Sequence, residues 1–310
     1  MIRSMVATSP YIDDVLRLKK EKNCVILAHN YQRGEIQDVA DFVGDSLGLA
    51  QMATKVDADI ILFCGVHFMA ETVKILCPDK KVLMPDLNAG CSLASMITAD
   101  SLRKWKEKYP NTVVVCYVNT TAEVKAESDY CCTSTNALKV VEAIPKDKEI
   151  LFVPDMYLGY YIYKKTGRKM QLWPGYCHAH AKIDPEQIAL MKHDHPSAEF
   201  LLHPECGCLT TSMNKADRIL STEGIIKYAK ESQTREFIIG TEVGILHRLQ
   251  KENPDKIFYP ASRVSFCEFM KMNTIENVLW SLEDLQYEIT VPEDIAKRAK
   301  RAIDRMLALV

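Results

Sequence analysis

The sequence predicts an α/β protein made of three similar three-layer αβα domains, whose short parallel sheets pack around a pseudo-threefold axis. Three observations predict it. A short apolar run ends in a polar triplet three times: Val25-Ile26-Leu27-Ala28 before His29-Asn30-Tyr31, Val113-Val114-Val115-Cys116 before Tyr117-Val118-Asn119, and Phe200-Leu201-Leu202 before His203-Pro204-Glu205. A cysteine follows each triplet some sixty residues later, at Cys91, Cys177 and Cys267. Between triplet and cysteine lie two further apolar runs, the second ending in proline. Recurrence at one period is the mark of a repeated unit.

In chain order, the first unit offers Val25–Ala28, Ile60–Phe63 and Lys81–Pro85 as short buried strands, with a stretch of helical period from Ile36 to Met52. The second offers Val113–Cys116, Ile150–Val153 and Lys169–Pro174, with a helical stretch from Ser134 to Ala143. In the third, Phe200–Leu202, Phe237–Ile239 and Lys256–Pro260 are the strands and Glu242 to Glu252 the helix. Pro-Asp or Thr-Gly pairs precede the third runs and supply turns. Strands alternating with amphipathic helices specify βαβ units and parallel sheets. The expected domains are residues 1–105, 106–195 and 196–284. A last helix, Val291 to Leu309 within 285–310, carries one apolar stripe (Ile295, Ala299, Ile303, Met306) that fits the first unit or another subunit. The competing reading is one large Rossmann-like protein whose spacing is accidental.

The 310 residues and 47% hydrophobic content suit two or three compact domains. A net charge of −2 offers no basic field, which argues against nucleic acid as a partner. No apolar run approaches the roughly 20 residues that span a bilayer. Met1 to Pro10 shows no signal-peptide core, so a cytoplasmic location is expected.

In a reducing compartment, eleven cysteines point to metal binding or catalysis rather than disulfides. Cys24, Cys64, Cys77 and Cys116 lie in or beside apolar runs and read as small core residues. Cys131-Cys132 and Cys206-Gly207-Cys208 are ambiguous, and without a Cys-x-x-Cys pair a structural zinc site is weakly supported. Cys91, Cys177 and Cys267 follow the third strands in loops of small and polar residues. Three thiolates from three units can hold an iron–sulfur cluster, leaving one iron with an open position. In open α/β sheets, ligands bind beyond the carboxyl ends of the strands, where the polar triplets sit.

These residues, read with Gly44-Asp45-Ser46-Leu47, Phe68-Met69-Ala70-Glu71, Cys132-Thr133-Ser134, Ser221-Thr222-Glu223-Gly224, Gly240-Thr241-Glu242-Val243-Gly244 and His247, closely resemble the quinolinate synthase A family. The resemblance covers nearly the whole chain. It implies a [4Fe–4S] enzyme of de novo NAD biosynthesis that condenses iminoaspartate with dihydroxyacetone phosphate to give quinolinate, phosphate and two waters. It also implies three αβα domains around a pseudo-threefold axis, with Cys91, Cys177 and Cys267 as cluster ligands. The functional partner it implies is an aspartate oxidase or dehydrogenase that supplies iminoaspartate. Some members carry Cys-x-x-Cys-x-x-Cys near the C-terminus; Met270 and Asn273 stand at the later two positions here, so that motif is absent.

By the resemblance, His29, Ser46, Tyr117, Asn119, Ser134, His203 and Thr222 surround the substrate. Ser46 and Ser134 could equally be helix N-caps. Glu205 is the expected proton-transfer residue and a substrate contact, with Tyr31 a second candidate and His178 beside Cys177 a third. Two rival classes differ in chemistry. An iron-free transferase would use Gly44 and Gly48 for a phosphate, but neither the dinucleotide pattern nor the P-loop is matched. A non-catalytic iron–sulfur sensor would share the cysteines without needing convergent histidines, tyrosines and a glutamate.

Overall fold

The computed structural model describes residues 11–309. Met1–Pro10, on which the expectation of no signal-peptide core rests, lie outside the described residues. The first sheet comprises β1 (Cys24–His29), β2 (Phe42–Gly44), β3 (Ile60–Cys64) and β4 (Lys81–Leu83). The second comprises β5 (Val113–Tyr117), β6 (Tyr130–Cys132), β7 (Ile150–Val153) and β8 (Met170–Leu172). The third comprises β9 (Glu199–Leu202), β10 (Arg218–Ile219), β11 (Glu236–Gly240) and β12 (Ile257–Pro260). Every pairing within these sheets is parallel, and the orders β2-β1-β3-β4, β6-β5-β7-β8 and β10-β9-β11-β12 are one topology built three times. The α/β fold class with three similar units is therefore the one the repeat predicts.

Each sheet nonetheless has four strands where the apolar runs marked three. The missed strand follows the first helix of each unit and lies at an edge. It is only two or three residues long, and Phe42 and Arg218 are exposed, so it leaves no apolar run to read. The helical stretch from Ile36 to Met52 accordingly splits into a helix Gly34–Val39, strand β2 and a helix Ser46–Ala53. The third runs are also less buried than expected: they form the opposite edges, where Met170–Leu172 are all half-buried and Ile257 is exposed. The central strands β3 and β7 are buried throughout, as interior parallel strands must be.

Residues beyond the third sheet return to the first unit. Helix Ile275–Asp284 packs on helix Tyr11–Glu21 and on β3, where Val278 and Leu282 share one apolar cluster with Val15, Ile26 and Leu62. A boundary at 284 thus cuts the chain after a helix that covers the first sheet. The chain then lies along the open edge of β4, where Met84 N–H donates to Tyr287 O (3.1 Å) and Ile289 N–H to Val82 O (2.8 Å). The final helix, Glu293–Leu307, packs on helix Ala122–Ala126 and β6 of the second unit and on helix His67–Leu76 of the first. Ala299, Ala302, Ile303 and Met306 are buried there, and Asn136 Nδ2 donates to Met306 O at 3.1 Å. This helix fastens two units together rather than closing one, and burying Ile303 and Met306 contributes about 1.5–3 kcal/mol each.

Candidate active site and metal centre

The three sheets turn their carboxyl ends towards one cavity. The first and third residues of every triplet line it: His29 and Tyr31 after β1, Tyr117 and Asn119 after β5, His203 and Glu205 after β9. The middle residues, Asn30, Val118 and Pro204, do not. A second ring of hydroxyls, Ser46, Ser134 and Thr222, arrives just after the edge strands β2, β6 and β10. Cys91, Cys177 and Cys267 complete the wall, one from each unit. All the expected substrate contacts and metal ligands thus meet at one place.

Local hydrogen bonding aims these groups. Asp45 caps helix Ser46–Ala53 through Gly48 N–H (2.8 Å), and Ser221 caps helix Thr222–Glu231 through Gly224 N–H (3.2 Å). The capping role open to Ser46 in the sequence belongs to its neighbour, and the Ser46 and Thr222 hydroxyls stand at helix N-termini, where anions are favoured. His29 and His203 repeat one device: the backbone N–H two residues on (Tyr31, Glu205) points at the ring Nδ1, at 3.1 and 3.4 Å. With Nδ1 accepting, the proton sits on Nε2. In His203 that nitrogen meets Ser134 Oγ at 3.2 Å.

Burial sets the charge states. It pushes His29 and His180 down to about 3 and His203 well below its ordinary value, so all three imidazoles are neutral hydrogen-bonding groups. The same burial raises Glu205 to about 7, with the Tyr117 hydroxyl partly offsetting it. Tyr31 and Tyr117 are raised well above 10 by burial and by the Glu205 charge.

Two residues that sequence reasoning left without a role link these groups. His180 Nδ1 lies 3.1 Å from Glu205 Oε2 and 3.1 Å from Cys177 Sγ, and its Nε2 lies 2.8 Å from Thr241 Oγ1. Thr241 Oγ1 is 2.7 Å from the Tyr31 hydroxyl, which is 2.9 Å from Thr222 Oγ1. A continuous chain therefore runs Glu205, His180, Thr241, Tyr31, drawing on all three units. Buried Glu242 is a third: Oε1 accepts from Cys267 N–H and Lys271 Nζ, both at 3.0 Å, and Lys271 also reaches Tyr31 O. The only sequence signal for these residues was their neighbourhood: His180 three places after Cys177, and Thr241-Glu242 directly after β11.

The cysteines divide by environment. Cys24, Cys64, Cys77, Cys116, Cys131 and Cys132 are buried among apolar side chains, while Cys91, Cys177 and Cys267 are half-buried on the cavity wall. Burial, together with the neighbouring thiols and carboxylates, raises Cys91 to about 12, Cys267 to about 11 and Cys177 well above 9, so protons must leave when a metal binds. Cys206 and Cys208, with Cα atoms 5.2 Å apart, are joined by a disulfide. That departs from the expectation of reduced thiols, since a two-residue separation already brings the side chains within bonding reach.

Cys177, His180 and Glu205 place ligand atoms within 4.8 Å of one another and can hold a metal ion. Soft thiolates converging from three units suit an iron–sulfur centre, and among the described residues no fourth cysteine lines the cavity. His178 alone of the expected site residues is absent from the cavity lining. Its ring lies between Ser92 and Glu268 instead. No helix among the described residues is long and apolar enough to cross a membrane.

Comparison with known proteins agrees with this geometry. The sequence profile described as NadA, quinolinate synthetase A protein, matches residues 13–308. A quinolinate synthase of Thermus thermophilus is 54% identical over 298 residues, covering 96% of each chain. One of Pyrobaculum aerophilum is 55% identical over 300 residues, covering 95% of this chain and 98% of its own. Quinolinate synthase 2 of Methanosarcina acetivorans is 51% identical over 297 residues, covering 96% and 95%. Matched over residues 13–308 by the family profile and at half its residues or more by these relatives, the chain belongs to the quinolinate synthetase A protein family of enzymes.

Proposed function

We propose that the chain is a quinolinate synthase of de novo NAD biosynthesis, condensing iminoaspartate (iminosuccinate) with dihydroxyacetone phosphate to form quinolinate, phosphate and two waters. One observation carries the reading: three triplets and three cysteines, one set from each unit, share a single cavity at the carboxyl ends of the sheets. Cys91, Cys177 and Cys267 would hold a [4Fe–4S] cluster whose open iron supplies Lewis acidity for loss of a hydroxyl.

The remaining chemistry falls to the chain's own groups. A dicarboxylic imine needs donors that fix both carboxylates and present the reacting carbon, and His29, Ser46, Tyr117, Asn119, Ser134, His203 and Thr222 supply them. Neutral imidazoles serve as directional donors through Nε2 without adding charge. Glu205, poised near 7, can take or give a proton at working pH. When it gives its proton to His180 Nδ1, His180 releases the Nε2 proton to Thr241, Thr241 passes its own to the Tyr31 oxygen, and Tyr31 gives up its hydroxyl proton to a group bound at that end of the cavity. A proton taken at one end is thus delivered at the other, beside Thr222. Tyr31 is suited to enolising or holding the triose phosphate at that end. His178, with both ring nitrogens engaged outside the cavity, has no part in this relay.

The setting proposed is the cytoplasm, with an aspartate oxidase or dehydrogenase as functional supplier of iminoaspartate. The test is iron and sulfide content of protein purified without oxygen, followed by an assay for quinolinate from the two substrates. About four irons and product formation are expected. Four irons without product would favour a sensor, and an iron-free chain that turns over would sink the reading.

A further inference from the structure

The residue that follows each cavity cysteine belongs to one hydrogen-bonded group. Ser92, next to Cys91, places Oγ 2.6 Å from His178 Nδ1; His178, next to Cys177, meets Glu268 Oε2 through Nε2; Glu268 is next to Cys267. Glu268 Oε1 also accepts from Lys182 Nζ at 2.7 Å, and the Phe269 ring lies edge-on to His178 at 5.7 Å. Three loops from three units are therefore tied, one bond to the next, on the outer side of the cysteine wall. None of Ser92, His178 and Glu268 lines the cavity.

We propose that Ser92, His178 and Glu268 form a clasp across the three cysteine loops that holds the ligands together and sets how fast the metal centre can be dismantled. They are positioning residues, acting through the neighbouring cysteines. The chemistry suits a latch: one ring nitrogen is engaged by the Ser92 hydroxyl and the other by the Glu268 carboxylate. Both nitrogens are occupied, which is why His178 orders loops rather than moving protons. The loop of Cys91 has one further tie, from Trp173 Nε1 to Met96 O (3.0 Å). The other two loops are joined independently, by Ser265 Oγ to Ala179 O (3.0 Å) and Ser262 Oγ to Lys182 O (3.1 Å). Groups that orient metal ligands typically change metal retention by 10–100-fold when removed.

This inference rests on the cluster reading above, and the experiment separates the two. Oxygen-free holoenzyme is mixed with an iron(II) chelator and iron release is timed for wild type, Ser92→Ala, Glu268→Gln and Ser92→Thr, alongside melting of each apo protein. Release is expected to be about tenfold faster for Ser92→Ala and Glu268→Gln, close to wild type for Ser92→Thr, which keeps the hydroxyl, with apo melting unchanged. Wild-type release rates in both loss variants would overturn the clasp while leaving the cluster standing. Faster release that tracks lower apo melting and is not restored by Ser92→Thr would overturn it too, assigning the effect to folding. Wild-type protein that binds no iron would sink the cluster reading itself.

Discussion

Replacing Glu205 by glutamine should weaken catalysis and strengthen the fold, and the two effects have one cause. Glu205 is buried, with Oε1 3.5 Å from Asn119 Nδ2 and Oε2 facing His180 Nδ1 at 3.1 Å. A glutamine has the same shape, its oxygen can accept from Asn119, and its amide can donate to His180, so the site is filled without a cavity. Burial raises the carboxyl from an ordinary value of 4.5 to about 7. The folded state therefore holds this proton more tightly than the unfolded chain. Stability from this group is complete below about pH 4.5, falls as pH rises to about 7, and is level above. At about 1.4 kcal/mol per pH unit, the charged form costs the fold on the order of 3 kcal/mol. Apo Glu205→Gln should match apo wild type near pH 4.5 and melt several degrees higher at pH 8, on the order of 5 °C for a chain this size. Loss of the proton-transfer group should lower kcat by about 10²–10⁴, or roughly 3–5 kcal/mol of barrier, with iron retained. Melting of both apo proteins across pH and steady-state kinetics of the loaded enzymes are the assays. A melting difference that is the same at pH 4.5 and pH 8 would refute the buried-charge argument, and full activity would move the acid–base role elsewhere.

Cys91→Ser, Cys177→Ser and Cys267→Ser should each lose iron and activity together, whereas Cys24→Ala or Cys77→Ala should keep both and cost about 1–2 kcal/mol of stability; iron assay and thermal unfolding decide between them. Tyr31→Phe removes the hydroxyl between Thr222 and Thr241, and is expected to reduce kcat by about 10–100-fold at unchanged iron content, the general range for a positioned proton donor being larger; unchanged kcat would remove Tyr31 from the relay. Gly244→Ala tests the seam between the first and third units. Its added carbon would lie 2.7 Å from both Glu242 Oε2 and Lys271 Nζ and 2.8 Å from the Tyr31 carbonyl carbon, so one of them must move. A loss of about 1–3 kcal/mol with weakened iron retention is expected, because Glu242 holds the Cys267 backbone; full stability and iron retention would show that the junction is slack.

Much of the fold was legible because burial on both faces forces continuous apolar runs, and β1, β3, β5, β7, β9 and β11 all show them. The edge strands β2, β6 and β10 were not legible, since a strand of two or three residues paired on one side needs no such run. The helix Ile275–Asp284 read as part of the third unit by position, yet its apolar face belongs to the first sheet. Sequence order does not say which surface a helix covers.

In the site, the residues at the strand ends were visible because a sharp change from apolar to polar at the end of a buried strand leaves few alternatives. His180, Thr241, Glu242 and Lys271 were not, because each takes its meaning from a distant partner: Thr241 lies 210 residues from Tyr31 and 61 from His180. His178 shows the converse: it neighbours Cys177 in sequence, yet it is absent from the cavity lining and its ring nitrogens meet Ser92 and Glu268 of other loops. By itself, then, the sequence determined the repeat, the parallel sheets, the triplets and the three cysteines, since periodicity and burial are properties of neighbours along the chain. Only the tertiary structure decided the hydrogen-bonded chain from Glu205 to Tyr31, the burial of the cavity histidines and the contacts among Ser92, His178 and Glu268, because hydrogen bonds and desolvation depend on which residues the three units bring face to face.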